Sequence, residues 1–238
     1  MEGTEIITNE RSGRQPRLLI VFLVVVFIFW DSCSLPRFAW TANAPSPEEI
    51  CNEEADRFLL SGEWQKAIEL HQKLIEKSPG LALAHYHLGV AYGQIDQYDQ
   101  EISKYRKAIS LGLKKADLYY NLGIVLGENS HDYPGAIAAF KEAVNLKPTE
   151  AEFHYNLGFA YLLNKEEEAA ERELRETLRL DSKHLQARIS LGSLYADQNK
   201  FAKAKKEWEE VLKIDPFNAE ALADLQWLER QGGDHNIR

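Results

Sequence analysis

Histidine and cysteine are the side chains that most often bind metals or act in catalysis, and this 238-residue sequence has seven of the first and two of the second. His85 and His87 stand two apart on a predicted helix, so they point in different directions and cannot chelate one ion. Cys33 and Cys51 form neither a CxxC pair nor a metal-ligand spacing, and Cys51 falls at an apolar helix position where a buried thiol is expected. No local motif groups a nucleophile with a base. The sequence therefore predicts no catalytic residue, metal ligand or cofactor, and a protein that is not an enzyme.

The elements around these side chains repeat. Leu-Gly pairs recur with their glycines 34, 35 and 34 residues apart, at Leu88-Gly89, Leu122-Gly123, Leu157-Gly158 and Leu191-Gly192. A fixed period of this size is typical of stacked units, each of which buries its apolar face only against its neighbours. We therefore expect one continuous array rather than a single globular core.

Each unit carries residues suited to packing two antiparallel helices. A large residue follows each Leu-Gly by three positions, and in the second helix a small residue precedes a large one, as in Ala136 and Phe140 or Ala204 and Trp208. Prolines close several units, at Pro79, Pro148 and Pro216. This pattern resembles the tetratricopeptide repeat (TPR). The resemblance implies an all-α fold, a right-handed superhelical solenoid of five helix-turn-helix repeats and a C-terminal capping helix.

The resemblance also divides the chain. A capping box at Ser46-Pro47-Glu48-Glu49 predicts that the solenoid begins at residue 47. Two departures from the pattern are Glu101, which replaces a small residue in repeat two, and one extra residue in the turn Glu128–Asp132 of repeat three. The predicted solenoid, 47–230, comprises repeats 48–81, 82–115, 116–150, 151–184 and 185–218 and the cap 219–230, followed by a flexible tail, 231–238.

The N-terminus reads as an export or anchoring segment. Arg11, Arg14 and Arg17 precede the apolar run Leu18–Trp30, and positive charge ahead of such a run keeps residues 1–17 in the cytoplasm. Residues 18–34 are either a signal-peptide core or a transmembrane anchor, and the pattern leaves both open. A linker, 35–46, follows. The repeats are then expected on the extracytoplasmic (periplasmic) side, secreted or held at the membrane through residues 18–30.

Composition limits the classes of partner. The chain is 45% hydrophobic and 27% charged, which is typical of a folded protein, and its formal net charge is −9. An acidic surface is repelled by phosphate backbones, so we expect no nucleic-acid partner.

A concave groove lined by the first helices is the predicted binding site, because residues next to each Leu-Gly pair recur at the same place. An extended peptide would lie along them, with the asparagines bonding its backbone and the aromatic rings packing its side chains. A tryptophan in the cap either points toward the same groove or folds down as part of the cap. The predicted groove residues are Tyr86, His87, Val90, Tyr120, Asn121, Ile124, Tyr155, Asn156, Phe159 and Trp227.

These expectations combine into a function hypothesis. The leading one is a protein-protein interaction adaptor that holds an extended segment of a partner during assembly of a membrane or envelope complex. One alternative is a scaffold that associates with itself, and another is a regulatory subunit of a separate enzyme. The sequence does not identify the partner.

Overall fold

The computed structural model describes residues 51–234, with side chains to residue 231, and this part contains eleven helices and no strand. The helices are α1 (Glu53–Leu60), α2 (Trp64–Lys77), α3 (Ala82–Gly93), α4 (Tyr98–Ser110), α5 (Ala116–Glu128), α6 (Tyr133–Leu146), α7 (Ala151–Leu163), α8 (Glu167–Leu180), α9 (Leu185–Asp197), α10 (Phe201–Ile214) and α11 (Ala219–Asp234). The predicted all-α class is confirmed.

Each helix packs against the next one along the chain, which forms five helix pairs and the closing helix α11. The first helices of successive pairs also contact each other, as α1 does with α3, α5 with α7, and α7 with α9. First helices therefore lie side by side along one face, and the fold is the expected α-solenoid.

The close approach of the two helices within a pair depends on the Leu-Gly glycine. A Cβ atom built on Gly123 would lie 2.5 Å from the Phe140 ring, closer than real contacts allow. The same conflict arises at 2.6 Å between Gly89 and Tyr105 and at 2.4 Å between Gly192 and Trp208. The large residue of each second helix thus packs directly over the glycine of its own first helix.

A left-handed residue ends each turn within a pair, with φ between 53° and 77° at Gly62, Asp96, His131, Lys165 and Asn199. In repeat two the turn closes with Gln97 N–H donating to Tyr92 O, five residues back. In repeat three Asp132 N–H donates to Leu126 O, six residues back. The extra residue is therefore absorbed by a wider turn, after which the Asp132 side chain caps α6 by accepting from Gly135 N–H at 3.0 Å.

Glu101 points inward. The residue is 5% exposed, and its carboxylate oxygens occupy the space where a Cβ atom on Gly93 would be, 2.7 Å away. Because Gly93 has no side chain, the Glu101 carboxylate fits beside it, although other repeats carry a small residue at the position of Glu101. Burial, followed by the negative charge of Glu101, raises the pKa of the neighbouring Tyr105 hydroxyl well above its usual value.

The start of the described chain corrects one expectation. Asn52 is extended, with φ −160° and ψ 118°, and its side chain caps α1 by accepting from Ala55 N–H. Cys51 therefore lies before the helix rather than at an apolar helix position, and it is half-buried. At the other end, α11 continues to Asp234, beyond the predicted end of the cap at Arg230.

Several predictions concern other parts of the chain. The apolar run Leu18–Trp30, the linker 35–46 and the capping box at Ser46 lie outside the described residues. Within residues 51–234, no helix has both the length and the apolar character needed to cross a membrane.

Candidate functional site

The asparagines of the predicted groove connect neighbouring repeats. Asn121 donates through Nδ2 to the hydroxyl of Tyr86 at 3.4 Å, and Asn156 donates to the hydroxyl of Tyr120 at 3.2 Å. Each amide thus reaches back to the first helix of the preceding repeat. In this structure these two amides link repeats, whereas the sequence interpretation assigned them to a peptide backbone.

Burial separates the predicted groove residues into two groups. In the first group, Tyr86, His87, Val90 and Asn121 are at most 6% exposed. The first three lie on α3, which is buried from Ala84 to Gly93, and Asn121 lies on α5. These side chains are inaccessible to a peptide, which corrects the prediction for them. The second group is half-buried and lies on α5 and α7, and we call it the open face: Tyr120, Ile124, Tyr155, Asn156 and Phe159.

Aromatic contacts hold the open face in place. The Tyr120 ring stacks on Phe153 with centroids 4.8 Å apart, and Phe153 belongs to a buried cluster between α5, α6 and α7. The Tyr155 ring stacks on Phe159 at 6.1 Å and meets the His184 ring at 4.7 Å. Tyr120 is therefore anchored in the core, while Tyr155 and Phe159 form one apolar patch on α7.

Carboxylates surround this patch. Glu152 lies on α7 and contacts His184 Nε2 at 3.3 Å and Asn156 Nδ2 at 2.9 Å. Burial, followed by the charges of Glu152 and Glu128, raises the pKa of Tyr120. Burial and the charge of Asp224 likewise raise the pKa of Glu220 on α11. The open face is therefore acidic.

A second group of polar side chains lies in the first two repeats, at the N-terminal end of the described solenoid. We call Cys51, Asp56, His71 and His87 the polar cluster: Asp56 lies on α1, His71 on α2 and His87 on α3, while Cys51 precedes α1. One ligating atom from each residue lies within 4.8 Å of the others. Asp56, His71 and His87 are each at most 2% exposed.

The Asp56 carboxylate is the centre of the polar cluster. Its Oδ1 atom lies 3.0 Å from His71 Nε2, 2.7 Å from His87 Nδ1 and 3.4 Å from Cys51 Sγ. Its Oδ2 atom accepts from the backbone N–H groups of Cys51 at 2.8 Å and Asn52 at 3.1 Å. The carboxylate thereby joins three helices and the segment that precedes them.

Burial and charge set the protonation of the polar cluster. Burial acts to raise the pKa of Asp56, but hydrogen bonds from His71 and His87 outweigh it and hold the pKa well below its usual range. Burial, followed by the charge of Asp56, raises the pKa of the Cys51 thiol far above its usual value. Burial lowers the pKa of His87. The carboxylate is therefore ionised at neutral pH, and the thiol keeps its proton in the absence of a cation.

Comparison with known protein families identifies repeats in the described part of the chain. A family model described as tetratricopeptide repeat matches residues 82–111, 151–184 and 185–218, and a second model described as TPR repeat matches residues 131–165. These stretches are tetratricopeptide repeats. A search of curated proteins found no match to the sequence.

Solved TPR structures share the fold. YrrB, described as a TPR protein with an unusual peptide-binding site, superposes with a TM-score of 0.70 at 22% identity, covering 76% of this chain and 94% of YrrB. MamA superposes with a TM-score of 0.66 at 23% identity, covering 72% of this chain and 99% of MamA. PilF of Pseudomonas aeruginosa superposes with a TM-score of 0.62 at 23% identity, covering 77% of this chain and 83% of PilF. At these sequence identities the similarity shows a shared fold alone.

The closing helix α11 contains the last predicted groove residue. Trp227 is half-buried, and its ring meets the Phe201 ring edge-on at 6.2 Å. Of the two predicted placements, the ring thus packs against the start of α10. The sequence interpretation missed Phe217, which lies between α10 and α11 and is 88% exposed.

The sequence interpretation also missed the polar cluster, because its members come from three helices and from the segment before the first of them. They are 5, 15 and 16 residues apart, and no metal motif has that spacing. One signal was available. Asp56 and His71 occupy buried positions on amphipathic helices, and a buried polar side chain needs a partner.

Proposed function

We propose that this TPR array is a non-enzymatic adaptor that binds an extended segment of a partner protein along α5, α7 and α9. The observation that carries the proposal is the open face, where Tyr155 and Phe159 form a half-exposed apolar patch on α7, a helix that contacts both α5 and α9. Aromatic side chains in such a position are common anchors for peptide side chains. The peptide-binding site attributed to YrrB, which has the same fold, supports the proposal.

The segment that binds is expected to carry basic and apolar side chains. Glu152 and Glu220 lie close enough to Tyr155 for their charges to raise its pKa, after the larger effect of burial. The whole chain has a formal net charge of −9. A lysine or arginine next to an apolar residue would therefore be attracted to the open face, and added salt would slow its association.

The proposal places the adaptor in assembly of a membrane or envelope complex. It rests on the three arginines that precede Leu18–Trp30, which would export the repeats. If residues 18–34 remain attached, residues 18–30 would tether the array to the membrane. If they are removed, the array would be secreted.

The test is a pull-down with the full chain from native membranes. In the binding variant, Ile124→Ala and Phe159→Ala together remove two side chains of the open face. The matched control is Leu146→Ala with Ile214→Ala, because those two residues are 41% and 42% exposed and lie on second helices. We expect one partner to be retained by the wild type and the control and lost by the binding variant, with circular dichroism showing that all three are folded.

Cross-linking gives the identity of the bound segment. Replacing Phe159 by a photoreactive phenylalanine analogue should join the partner to α7, and mass spectrometry of the product should find a segment rich in Lys or Arg. Equal retention of the partner by the binding variant and the wild type would reject the open face as the site.

Self-association remains a second candidate because Phe217 is 88% exposed beside the cap. An exposed ring of this size at the end of a solenoid is suited to packing against another copy. Sedimentation of the full chain over a range of concentrations decides this point. A mass that rises with concentration in the wild type and stays constant in Phe217→Ser would favour a scaffold of identical chains.

A further inference from the structure

The polar cluster brings together the donor types that zinc prefers. One thiol, one carboxylate and two imidazoles converge, and their ligating atoms lie within 4.8 Å of one another. Structural zinc sites use four such ligands in a tetrahedron, whereas calcium and magnesium sites are built from oxygen atoms. The donor set therefore selects a transition-type cation such as Zn²⁺.

The hydrogen bonds of His71 indicate a cation between it and Asp56. His71 Nδ1 lies 2.8 Å from the Ala67 carbonyl oxygen, which can only accept, so Nδ1 carries the hydrogen. In a neutral ring Nε2 then has a lone pair, and this atom faces Asp56 Oδ1 at 3.0 Å. Two acceptors at that distance repel each other, so the contact needs either a proton on Nε2, which then donates to Asp56, or a metal ion bound to both atoms in place of that proton.

The same carbonyl contact is the usual support for a zinc-bound histidine. A histidine that ligates a metal normally donates its other ring N–H to a carbonyl or carboxylate, which fixes the ring and its tautomer. Asp56 is supported in a similar way, because Oδ2 accepts from the N–H groups of Cys51 and Asn52 while Oδ1 faces the cluster. Both side chains are thus held with their ligating atoms turned inward.

The dimensions fit a small cation after a modest expansion. Zinc bonds of about 2.0–2.3 Å in a tetrahedron place ligating atoms about 3.4 Å apart. His87 Nδ1 lies 3.3 Å from Cys51 Sγ, and Cys51 Sγ lies 3.4 Å from Asp56 Oδ1. The two contacts from Asp56 to the histidines, at 2.7 and 3.0 Å, would lengthen by a few tenths of an ångström. The two imidazole planes are nearly perpendicular, at 86°, as different corners of a tetrahedron allow.

We propose that Cys51 Sγ, Asp56 Oδ1, His71 Nε2 and His87 Nδ1 bind one Zn²⁺ ion. Cys51 gives up its proton to solvent and ligates as the thiolate. Four protein ligands leave no open position, so the site is structural rather than catalytic. The ion fixes the segment that precedes α1 to the first two repeats, at the N-terminal end of the described solenoid.

The test uses the full chain without a histidine tag, in a Cys33→Ser background that leaves Cys51 as its single thiol. After removal of metals with a chelator, Co²⁺ is added as a spectroscopic probe and Zn²⁺ is then used to displace it. We expect one Co²⁺ per chain, with the visible bands of tetrahedral cobalt and a thiolate-to-cobalt charge-transfer band. Zn²⁺ should displace the cobalt and raise the thermal midpoint of unfolding.

Two variants make the result specific. Cys51→Ser keeps a hydroxyl that donates to Asp56, and it should lose the charge-transfer band and weaken zinc binding at least about tenfold. His154→Gln alters a buried histidine that contacts Glu173 at 2.8 Å in repeat four, and it should bind zinc as the wild type does. Absence of the charge-transfer band in the wild type, or equal zinc binding by the wild type and the folded Cys51→Ser variant, would overturn the proposal.

Discussion

His87 and Asn156 occupy the same position in two TPRs, directly before Leu-Gly, and differ in their surroundings. His87 is 1% exposed and contacts Asp56 at 2.7 Å, whereas Asn156 is half-buried and donates to Tyr120 at 3.2 Å. Both side chains reach back to the first helix of the preceding repeat. The position therefore links repeat two to repeat one and repeat four to repeat three, and the burial of its helix decides how exposed the side chain is.

Two carboxylates show the same contrast between the ends. Asp56, in repeat one, accepts from two backbone N–H groups and faces two histidines, and these hydrogen bonds hold its pKa low against the effect of burial. Glu220, in the cap, has a buried Oε1 atom with no hydrogen-bond partner among the described residues, and burial raises its pKa. The Asp56 carboxylate thus has its hydrogen-bond partners within the protein, while Glu220 has an oxygen atom that a partner could engage.

Removing Asp56 should have the largest effect on stability. Asp56→Ala leaves His71 and His87 buried without their shared carboxylate, and we expect a loss of about 3–5 kcal/mol in the free energy of unfolding. Asp117→Ala is the matched change, because the Asp117 and Lys147 side chains are 49% and 51% exposed, and it should cost less than about 1 kcal/mol. Urea unfolding in the presence of a chelator measures both, and equal losses would show that the buried contacts of Asp56 stabilise the protein no more than an exposed ion pair does.

Alanine substitutions at two glycines of α5 distinguish the effect of close packing from the effect of helix propensity. Gly123→Ala would drive a methyl group into the Phe140 ring and should destabilise the protein by about 1–3 kcal/mol. Gly127→Ala places its Cβ 3.5 Å from that of Ala136, an ordinary contact, and should stabilise by about 0.5 kcal/mol because alanine favours the helix. Thermal unfolding of both variants checks the sign. Destabilisation of similar size at Gly127 would show that the Leu-Gly position is not special.

A smaller effect on stability is expected from His85 and His154, which hold the same position in repeats two and four but differ in the partner of Nδ1. His85 and His154 both contact the carbonyl of a proline six residues earlier, at 3.1 and 3.0 Å. His154 Nδ1 also contacts Glu173 at 2.8 Å, whereas His85 Nδ1 has no hydrogen-bond partner among the described residues. Lys104 stands where the repeat places Glu173, so Lys104→Glu should supply the missing acceptor and add about 1 kcal/mol of stability.

Lys107→Glu is the control for Lys104→Glu, because it makes the same change of charge one turn away on α4. Chemical unfolding of both variants should show a gain for Lys104→Glu alone. A gain of equal size at Lys107 would assign the effect to net charge instead of to the hydrogen bond with His85.

The sequence was sufficient to predict the solenoid because its signal is local and repeated. The spacing of the Leu-Gly pairs, the large residue opposite each glycine and the extra residue near Ser130 all correspond to contacts within one helix pair. Such contacts recur at fixed distances along the chain. A period in the sequence therefore translates directly into a period in space.

The functional surfaces were harder to predict because they depend on how repeats cover each other. Val90 and Phe159 occupy the same position in their repeats, yet Val90 is 1% exposed and Phe159 is half-buried. The polar cluster joins residues from two repeats and from the segment before them, so no single repeat contains its pattern. Contacts of this kind are set by tertiary packing, which a repeat-by-repeat interpretation does not describe.

The smallest expected effect is a change in the pH dependence of stability caused by Glu220 on the closing helix α11. Since the folded protein raises the pKa of Glu220 above its ordinary value of 4.5, the folded state holds this proton more tightly than the unfolded state. The contribution of Glu220 to stability is then complete below that value and is lost as the pH rises through the folded pKa. Glu220→Gln should flatten the decline in stability above about pH 4.5 and add about 0.5 kcal/mol at neutral pH. Unfolding measured across this range, with exposed Glu229→Gln as the control, tests the sign; a steeper decline in Glu220→Gln would mean that its carboxylate is stabilised as Asp56 is.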